Sequence, residues 1–279
     1  MGARRDARDA LAAAELRPRR RWGQHFLCDP GIVRRIVAAA GAHGAAVLEI
    51  GPGHGAHTDA LAGSARRLYL VEIDRGLAAR LAERYASMPH VRVVVGDVLD
   101  VPLDALVEEP EATVVANLPY NITTPILFRL LEARRRFPRA IVMVQHEVAV
   151  RLAATPGGKD WGVLPALVQT FAHVRILFRV SRQAFLPRPR VESAVVDIRW
   201  SPEPRVDVGD VDGYRAGVRA AVGQRRKTLR NALGALARER GLGASDVAAA
   251  FARAGIDPAT RAERCSTADF ARLATALGA

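Results

Sequence analysis

The stretch Ala46-Val47-Leu48-Glu49-Ile50-Gly51-Pro52-Gly53-His54-Gly55 is a short apolar run that breaks into a turn of glycines. Such a run has the length of a buried strand, and glycines directly after it let the backbone turn tightly and approach a ligand. Similar runs recur after it along the chain: Leu68 to Ile73, Val91 to Val95, Thr113 to Ala116 and Ala140 to Val144. Between them lie helical stretches, Ala56 to Ala62, Gly76 to Ala86 and Thr124 to Arg134. Asp29-Pro30 is an N-cap followed by a first-turn proline, so a further helix is expected from there to about Ala40. Short apolar strands separated by helices imply a parallel sheet covered on both faces, a doubly wound α/β domain.

After Glu147 the pattern changes. Phe171 to Val180 and Ala194 to Trp200 are strand-like and flank a proline-rich segment, which suggests a hairpin-like pair closing the edge of the sheet. Ser201-Pro202-Glu203-Pro204 is a linker, and beyond it four helices are expected: Val211 to Val222, Lys227 to Arg240, Ser245 to Ala254 and Thr267 to Leu277. The expected organisation is therefore a basic N-terminal arm (residues 1–21, with a short helix at Asp9 to Leu16), an α/β domain (22–202) and a small all-helical domain (203–279).

In an open α/β sheet, ligands bind beyond the carboxyl ends of the strands, at the switch point beside the first strand. The glycine turn sits there. About twenty residues on, Glu72 ends the second strand, where a carboxylate can accept both hydroxyls of a ribose. Asp97, in Val95-Gly96-Asp97-Val98, ends the third and can accept from an adenine amine. A dinucleotide enzyme would share the glycine turn and the first acid; the third-strand acid favours a nucleoside sulfonium cofactor. Asp74 fits better as the cap of the following helix.

Asn117-Leu118-Pro119-Tyr120 follows the fourth strand directly. The exocyclic amine of adenine is a poor nucleophile, because its lone pair is delocalised into the ring. The Asn117 amide oxygen and the Leu118 carbonyl can accept its two N–H bonds and favour a pyramidal nitrogen, while Tyr120 stacks on the base. Pro119 stiffens the turn. No strong base is needed; catalysis of this kind is positioning and hydrogen bonding. The target base must leave its helix to react, and aromatic faces receive it. Phe185, in Phe185-Leu186-Pro187-Arg188-Pro189-Arg190-Val191, is expected as the second aromatic, against the alternative of a hydrophobic plug at the end of the sheet.

The chain has 279 residues, 49% of them hydrophobic, and a formal net charge of +12, carried almost wholly by arginine. That charge points to a polyanionic partner, although the arginine and alanine bias also looks like GC-rich coding. Cys28 and Cys265 are far apart, and His54 and His57 share a glycine-rich turn with no cysteine or carboxylate expected nearby and read as loop residues rather than ligands, so neither a disulfide framework nor a metal site is expected. No apolar stretch suits a signal peptide or a membrane span, so a soluble, cytoplasmic protein is expected. Arg225, Arg226, Lys227 and Arg230 cluster at the start of an expected helix, with Arg226 and Arg230 one turn apart, where cations disfavour the helix dipole. A phosphate-binding, RNA-docking surface explains that placement.

Together these residues resemble the ribosomal RNA adenine dimethyltransferase family, and most closely its small-subunit housekeeping branch (the KsgA type). The match runs from Trp22 almost to the C-terminus and includes Gly23-Gln24-His25-Phe26-Leu27, Glu49 to Gly53, Glu72-Ile73-Asp74, Gly96-Asp97, Asn117 to Asn121, Phe185 to Ala194, Gln224 to Leu229 and Arg261-Ala262-Glu263. The resemblance implies a class I (Rossmann-like) methyltransferase core that uses S-adenosylmethionine, with a helical C-terminal domain. It also implies transfer of four methyls to two adjacent adenines near the 3′ end of 16S rRNA in the small ribosomal subunit, by a monomer. Carried over by position, the cofactor contacts would be His25, Leu27, Gly51, Glu72, Asp97 and Asn117, with Gly53 and Val98 beside them. His25 departs from the usual asparagine, Val222 from a frequent aromatic and Cys265 from leucine. The competing readings are a 23S rRNA adenine methyltransferase that confers antibiotic resistance and a non-catalytic assembly factor on the same fold. The long C-terminal match disfavours the first, and the intact Asn117 to Tyr120 tetrapeptide and cofactor acids disfavour the second. A DNA adenine methyltransferase would commonly have a second proline at Leu118.

Overall fold

A computed structural model describes residues 24–224 and 226–278. The expected arm with its helix, Trp22, Gly23 and Arg225 lie outside the described residues. The described residues divide into two compact units, one running to residue 149 and including 174–200, the other of 150–173 and the described residues from 201 onward.

The first unit is built on a sheet whose strands run in the order β4-β3-β2-β5-β6-β9-β7. Its strands are β2 (Ala46–Ile50), β3 (Arg67–Glu72), β4 (Val91–Val95), β5 (Thr113–Asn117), β6 (Arg139–Gln145), β7 (Ala172–Val180) and β9 (Ser193–Trp200). The first five pair in parallel, while β9 runs antiparallel to β6, with Asp197 opposite Ile141. Sequence order reverses between β2 and β5, which makes their carboxyl ends the switch point. The expected doubly wound sheet is present, and β7 and β9 close its edge as anticipated. A separate two-stranded ribbon joins β1 (Phe26–Leu27) to β8 (Phe185–Leu186), with Leu27 opposite Phe185.

Strand β2 is buried along its whole length, as a strand covered on both faces must be. Helix α1 (Pro30–Ala40) begins where Asp29 accepts from the Gly31 and Ile32 amides and ends at Gly41, which takes the left-handed conformation (φ 62°). Its apolar face, Ile36 and Ala40, packs into one cluster with Val47, Leu70, Val115, Ile141, Met143 and Val195. Each of the larger aliphatic side chains removed from water there stabilises the fold by about 1.5–3 kcal/mol. Side chains two apart on a strand share a face. Glu49, Glu72 and Asn117 therefore follow Val47, Leu70 and Val115 onto the side of the sheet that α1 covers. Helices α2 (Thr58–Ala62), α3 (Arg75–Arg84), α4 (Leu103–Leu106) and α5 (Thr123–Glu132) form the crossovers.

Helix α6 (His146–Leu152) spans the division at residue 149, and α7 (Val163–Phe171) lies in the second unit. The segment expected to be strand from Phe171 is thus helical up to that residue. Helices α8 (Val211–Gly223), α9 (Leu229–Glu239), α10 (Ala244–Ala254) and α11 (Thr267–Ala276) follow. Two buried polar contacts tie residues 150–173 to these helices: Thr170 Oγ1 lies 2.7 Å from the Tyr214 hydroxyl, and Trp161 Nε1 donates to the Cys265 carbonyl at 2.9 Å. Residues 150–173 therefore group with the helical unit, not with the α/β domain where the sequence boundary at 202 placed them. Val222 and Cys265, the two departures in this region, are both buried without a large side chain.

Candidate active site

A pocket of about 480 Å³ opens at the carboxyl ends of β2, β3, β4 and β5. Its lining includes His25, Leu27, Gly51, Gly53, Glu72, Asp97, Val98 and the whole of Asn117 to Tyr120. That volume lies within the range of small-molecule sites.

The glycine turn is held from below. Gly51 and Gly53 both have positive φ (65° and 59°). The Gly51 amide donates to the Val71 carbonyl at 2.9 Å, and the Gly53 amide donates to Glu72 Oε2 at 3.0 Å. A Cβ on Gly53 would stand 3.1 Å from the Phe26 ring, so the position needs glycine both for its backbone and for the close approach of β1. Glu72 is buried, and its other oxygen accepts from the Asp74 amide at 3.0 Å. Burial pushes its carboxyl above the usual carboxylate range, against the opposing pull of those amide bonds. Each carboxylate oxygen has a further lone pair, so the same group can steady the turn and still accept from a ligand. Asp74 caps α3, accepting from the Gly76 amide at 2.8 Å, as expected. Asp97 accepts from the Leu99 amide at 2.9 Å and is half-buried at the pocket wall, with Val98 beside it.

Asn117 ends β5, and its Nδ2 donates to the His25 carbonyl at 2.9 Å. Because a carbonyl can only accept, this bond fixes which end of the amide is nitrogen and leaves Oδ1 as an acceptor. Leu118 is anchored through its amide, which donates to the Met143 carbonyl at 3.0 Å. The Pro119 carbonyl accepts from Thr123 Oγ1 at 3.0 Å, locking the turn into α5. The Tyr120 hydroxyl meets Ser193 Oγ at 2.7 Å, and Ser193 is fully buried, so the ring is held from its far end.

Phe185 does not stand with these residues. It is 3% exposed, packs in the cluster that contains Leu27 and Ile36, and is absent from the pocket lining. The pairing of β1 with β8 fixes this: Leu27 and Phe185 are register partners, and the Cys28 amide donates to the Ala184 carbonyl at 2.7 Å. In this structure Phe185 thus occupies the position of the plug alternative, packed in the core with Leu27. The ring that does stack on Tyr120 is His25, with centroids 5.6 Å apart and planes at 27°.

Two more histidines, expected as plain loop residues, make specific contacts in the turn. His57 is buried, with Nδ1 3.4 Å from a Glu49 oxygen, and Glu49 also accepts from Thr58 Oγ1 at 2.7 Å. The pair joins residues eight apart that the strand-to-helix turn folds together. His54 packs its ring 3.9 Å from that of Phe26, and burial, helped by the Arg80 guanidinium, holds its pKa down to about 4. At neutral pH it adds no positive charge to the pocket.

The basic cluster of the second unit also differs from expectation. Helix α9 starts at Leu229, with Thr228 as N-cap accepting from Asn231, so Arg226 and Lys227 precede the helix and only Arg230 lies in its first turn. Arg226 and Arg230 therefore do not share a helical face. All three are exposed, as are Arg261 and Arg264, and Thr228 pairs with Arg261 in an isolated antiparallel bridge.

The chain matches the family described as ribosomal RNA adenine dimethylase over residues 15–278. Ribosomal RNA small subunit methyltransferase A of Moorella thermoacetica is 45% identical over 270 residues, covering 93% of this chain and 92% of the relative. The protein of that name from Pseudomonas aeruginosa is 43% identical over 263 residues, covering 94% and 95%. Among solved structures, the 23S rRNA methyltransferase ErmE superposes with a TM-score of 0.68 at 26% identity, covering 91% of this chain and all of that one. A dimethyladenosine transferase from Plasmodium falciparum shares the fold with a TM-score of 0.77 at 24% identity, covering 89% and 95%. With its parallel sheet, glycine turn, strand-end acids and Asn-Leu-Pro-Tyr turn in place, this chain is a methyltransferase and belongs to the ribosomal RNA adenine dimethylase family.

Proposed function

We propose that the chain transfers methyl groups from S-adenosylmethionine to the N6 amines of two adjacent adenines in the 3′-terminal hairpin of small-subunit rRNA, as a cytoplasmic monomer that takes part in small-subunit biogenesis. The observation that carries this reading is the Asn117 amide, whose nitrogen is spent on the His25 carbonyl and whose oxygen is left to accept from an amine at the pocket rim. The names of the relatives at 41–46% identity favour the small subunit over the 23S substrate named for ErmE. No helix among the described residues is long and apolar enough to cross a membrane.

The pocket suits the cofactor in size and in donor set. Glu72 would accept from the ribose hydroxyls and Asp97 from the adenine amine, while Gly51, Gly53, Leu27, Val98 and the backbone at His25 would close around the nucleoside. Bound there, S-adenosylmethionine supplies an electrophilic sulfonium methyl. A protonated imidazole beside that cation would oppose binding, and His54 is held neutral. Asn117 Oδ1 and the Leu118 carbonyl would accept from the target amine and turn its lone pair out of conjugation. Tyr120, anchored at Ser193, would hold the base flat. The amine becomes cationic on attack and then loses its proton readily, so the chain need only orient it.

The test is methyl transfer to small subunits from a strain lacking the modification, followed by digestion and mass spectrometry of the nucleosides. Dimethyladenine at two adjacent positions is expected. Methylation of another base, preference for naked 23S RNA, or no transfer with the cofactor bound would refute the proposal.

A further inference from the structure

Helix α1 and strand β7 carry more positive charge than the acids beside them cancel. Arg175 and Arg179 lie four apart on β7, hence on one side of the strand, and both are exposed. Arg175 reaches within 3.8 Å of Asp197, the buried carboxylate that accepts from Arg139 and Arg199. The side chain of Asp197 is 2% exposed, those of Arg175 and Arg199 71% and 61%. One internal acid thus orients three guanidinium groups, cancels one charge of the three and leaves outward N–H donors in water. The Arg35 guanidinium of α1 stands 3.6 Å from the centre of the Phe178 ring, one residue from Arg179. An aromatic face positions a cation without cancelling its charge. Among the described residues, neither Arg35 nor Arg179 pairs with a carboxylate.

We propose that Arg35, Arg175, Arg179 and Arg199 form an RNA-docking surface on the first unit, one that grips the phosphate backbone of small-subunit RNA away from the target adenine. This inference rests on the function proposed above and adds a contact to it. Arginines waving from a solvated face give diffuse attraction, whereas held guanidinium forks can meet two phosphate oxygens at once. The distance from the target follows from the register. Arg139 opens β6 opposite Arg199 and stands four residues before Met143, the partner of Asn117. At about 3.3 Å per residue, the arginines around Asp197 lie roughly 13 Å along the strand from the catalytic turn. None of the four lines the pocket. They are out of reach of the cofactor and the reacting base, and what a folded RNA offers them there is backbone. A competing role exists for the same residues: β7 ends the sheet, and charges on an edge strand discourage pairing with another chain.

The test combines Arg35→Gln, Arg175→Gln and Arg179→Gln in the full chain and keeps Asp197, Arg139 and Arg199, which tie β6 to β9. Filter binding to small subunits would be titrated with salt, beside light scattering, thermal melting and calorimetry with the cofactor. Each lost phosphate contact should lower the slope of log affinity against log salt by about 0.7–0.9, so the triple variant should lose roughly two. Its mass, Tm and cofactor affinity should match the wild type. Arg92→Gln is the control: it removes an exposed arginine that Glu108 already neutralises, and it should leave the slope alone. Should the triple variant melt early, Arg179→Gln by itself carries the same test, with a drop of about 0.7–0.9. An unaltered slope in both variants, or an equal drop in Arg92→Gln, overturns the surface. If the triple variant dimerises and keeps its slope, the arginines guard the sheet edge instead. If only the wild type binds phosphatidylglycerol vesicles while both bind subunits alike, the face belongs to a membrane. Failure of the wild type to methylate small subunits would overturn the proposed function; a wild type that methylates, beside a variant of unaltered slope, overturns the docking surface alone.

Discussion

Replacing Asn117 by alanine removes the amide oxygen proposed to orient the amine, yet leaves Glu72, Asp97 and the glycine turn untouched. Because that oxygen acts chiefly in the transition state, single-turnover rate should fall by roughly 10²–10³, the scale for losing one preorganised hydrogen-bonding group, while RNA affinity changes little. Glu72→Ala should do the reverse and weaken the cofactor by about 1.5–3 kcal/mol, the range for hydrogen bonds to a charged group. Calorimetry on one variant and rates on the other decide the matter. A normal rate without Asn117, or unchanged affinity without Glu72, would remove those residues from their roles. Glu72 also sets a direction with pH. Its pKa is raised by burial, so on acidification the ionised, accepting form is lost at a higher pH than for an ordinary carboxylate, and cofactor affinity should decline from there. These residues were legible in the sequence because each lies in a short motif at the end of a strand. The His25–Tyr120 stack was not legible, and for Phe185 the sequence left a stacking ring and a buried plug both open. The stack and the burial of Phe185 depend on the pairing of β1 with β8, which brings together residues about 160 apart in the chain.

At the scale of elements, the edge of the sheet is tied by one carboxylate. Asp197 on β9 is buried and accepts from Arg139 of β6 through Nε at 3.0 Å and a second guanidinium nitrogen at 3.1 Å; Arg199 Nε lies 3.2 Å away, and Arg175 of β7 lies 3.8 Å away. Burial pushes the Asp197 carboxyl up, but the arginines outweigh it and hold the group below its ordinary value. A depressed folded pKa means that stability is present above the unfolded value, about 3.9, and is lost as pH falls through the folded one. Asp197→Asn should therefore lower Tm at pH 7 by roughly 3–8 °C, at about 2–4 °C per kcal/mol for a chain of this size. The gap to the wild type should close below about pH 4. A constant gap across pH would show that shape, not charge, holds the edge. The strands themselves could be read because covered strands are short apolar runs set off by turns. Helix α7 could not, since seven of its nine residues are buried and the apolar pair Phe171-Ala172 carries the chain from helix into β7 with no turn residue between them. That same helix belongs with the C-terminal helices, an association between distant segments that no local pattern announces.

For the molecule as a whole, the pocket and one exposed basic segment lie on different units. The residues that line the pocket belong to the first unit, while Arg226, Lys227, Arg230, Arg261 and Arg264 are exposed on the second. The segment that carries them is braced where a docking surface needs rigidity: the Leu229 amide donates to the Thr260 carbonyl at 2.8 Å, and the Arg230 amide to the Pro258 carbonyl at 3.2 Å. A net charge of +12 spread evenly would give weak, unspecific attraction to any polyanion. A braced cluster should contribute discrete phosphate contacts, each worth about one unit in the slope of log affinity against log salt. Arg226→Ala with Arg230→Ala should therefore weaken binding to small subunits and reduce that slope by roughly two. Cofactor affinity should not change, because neither residue lines the pocket. The measurement is a salt titration of binding with wild type and double variant side by side. Equal slopes would mean that these arginines are solvated and that RNA is docked elsewhere. A reduced slope with intact cofactor binding would place that part of subunit recognition on the helical unit.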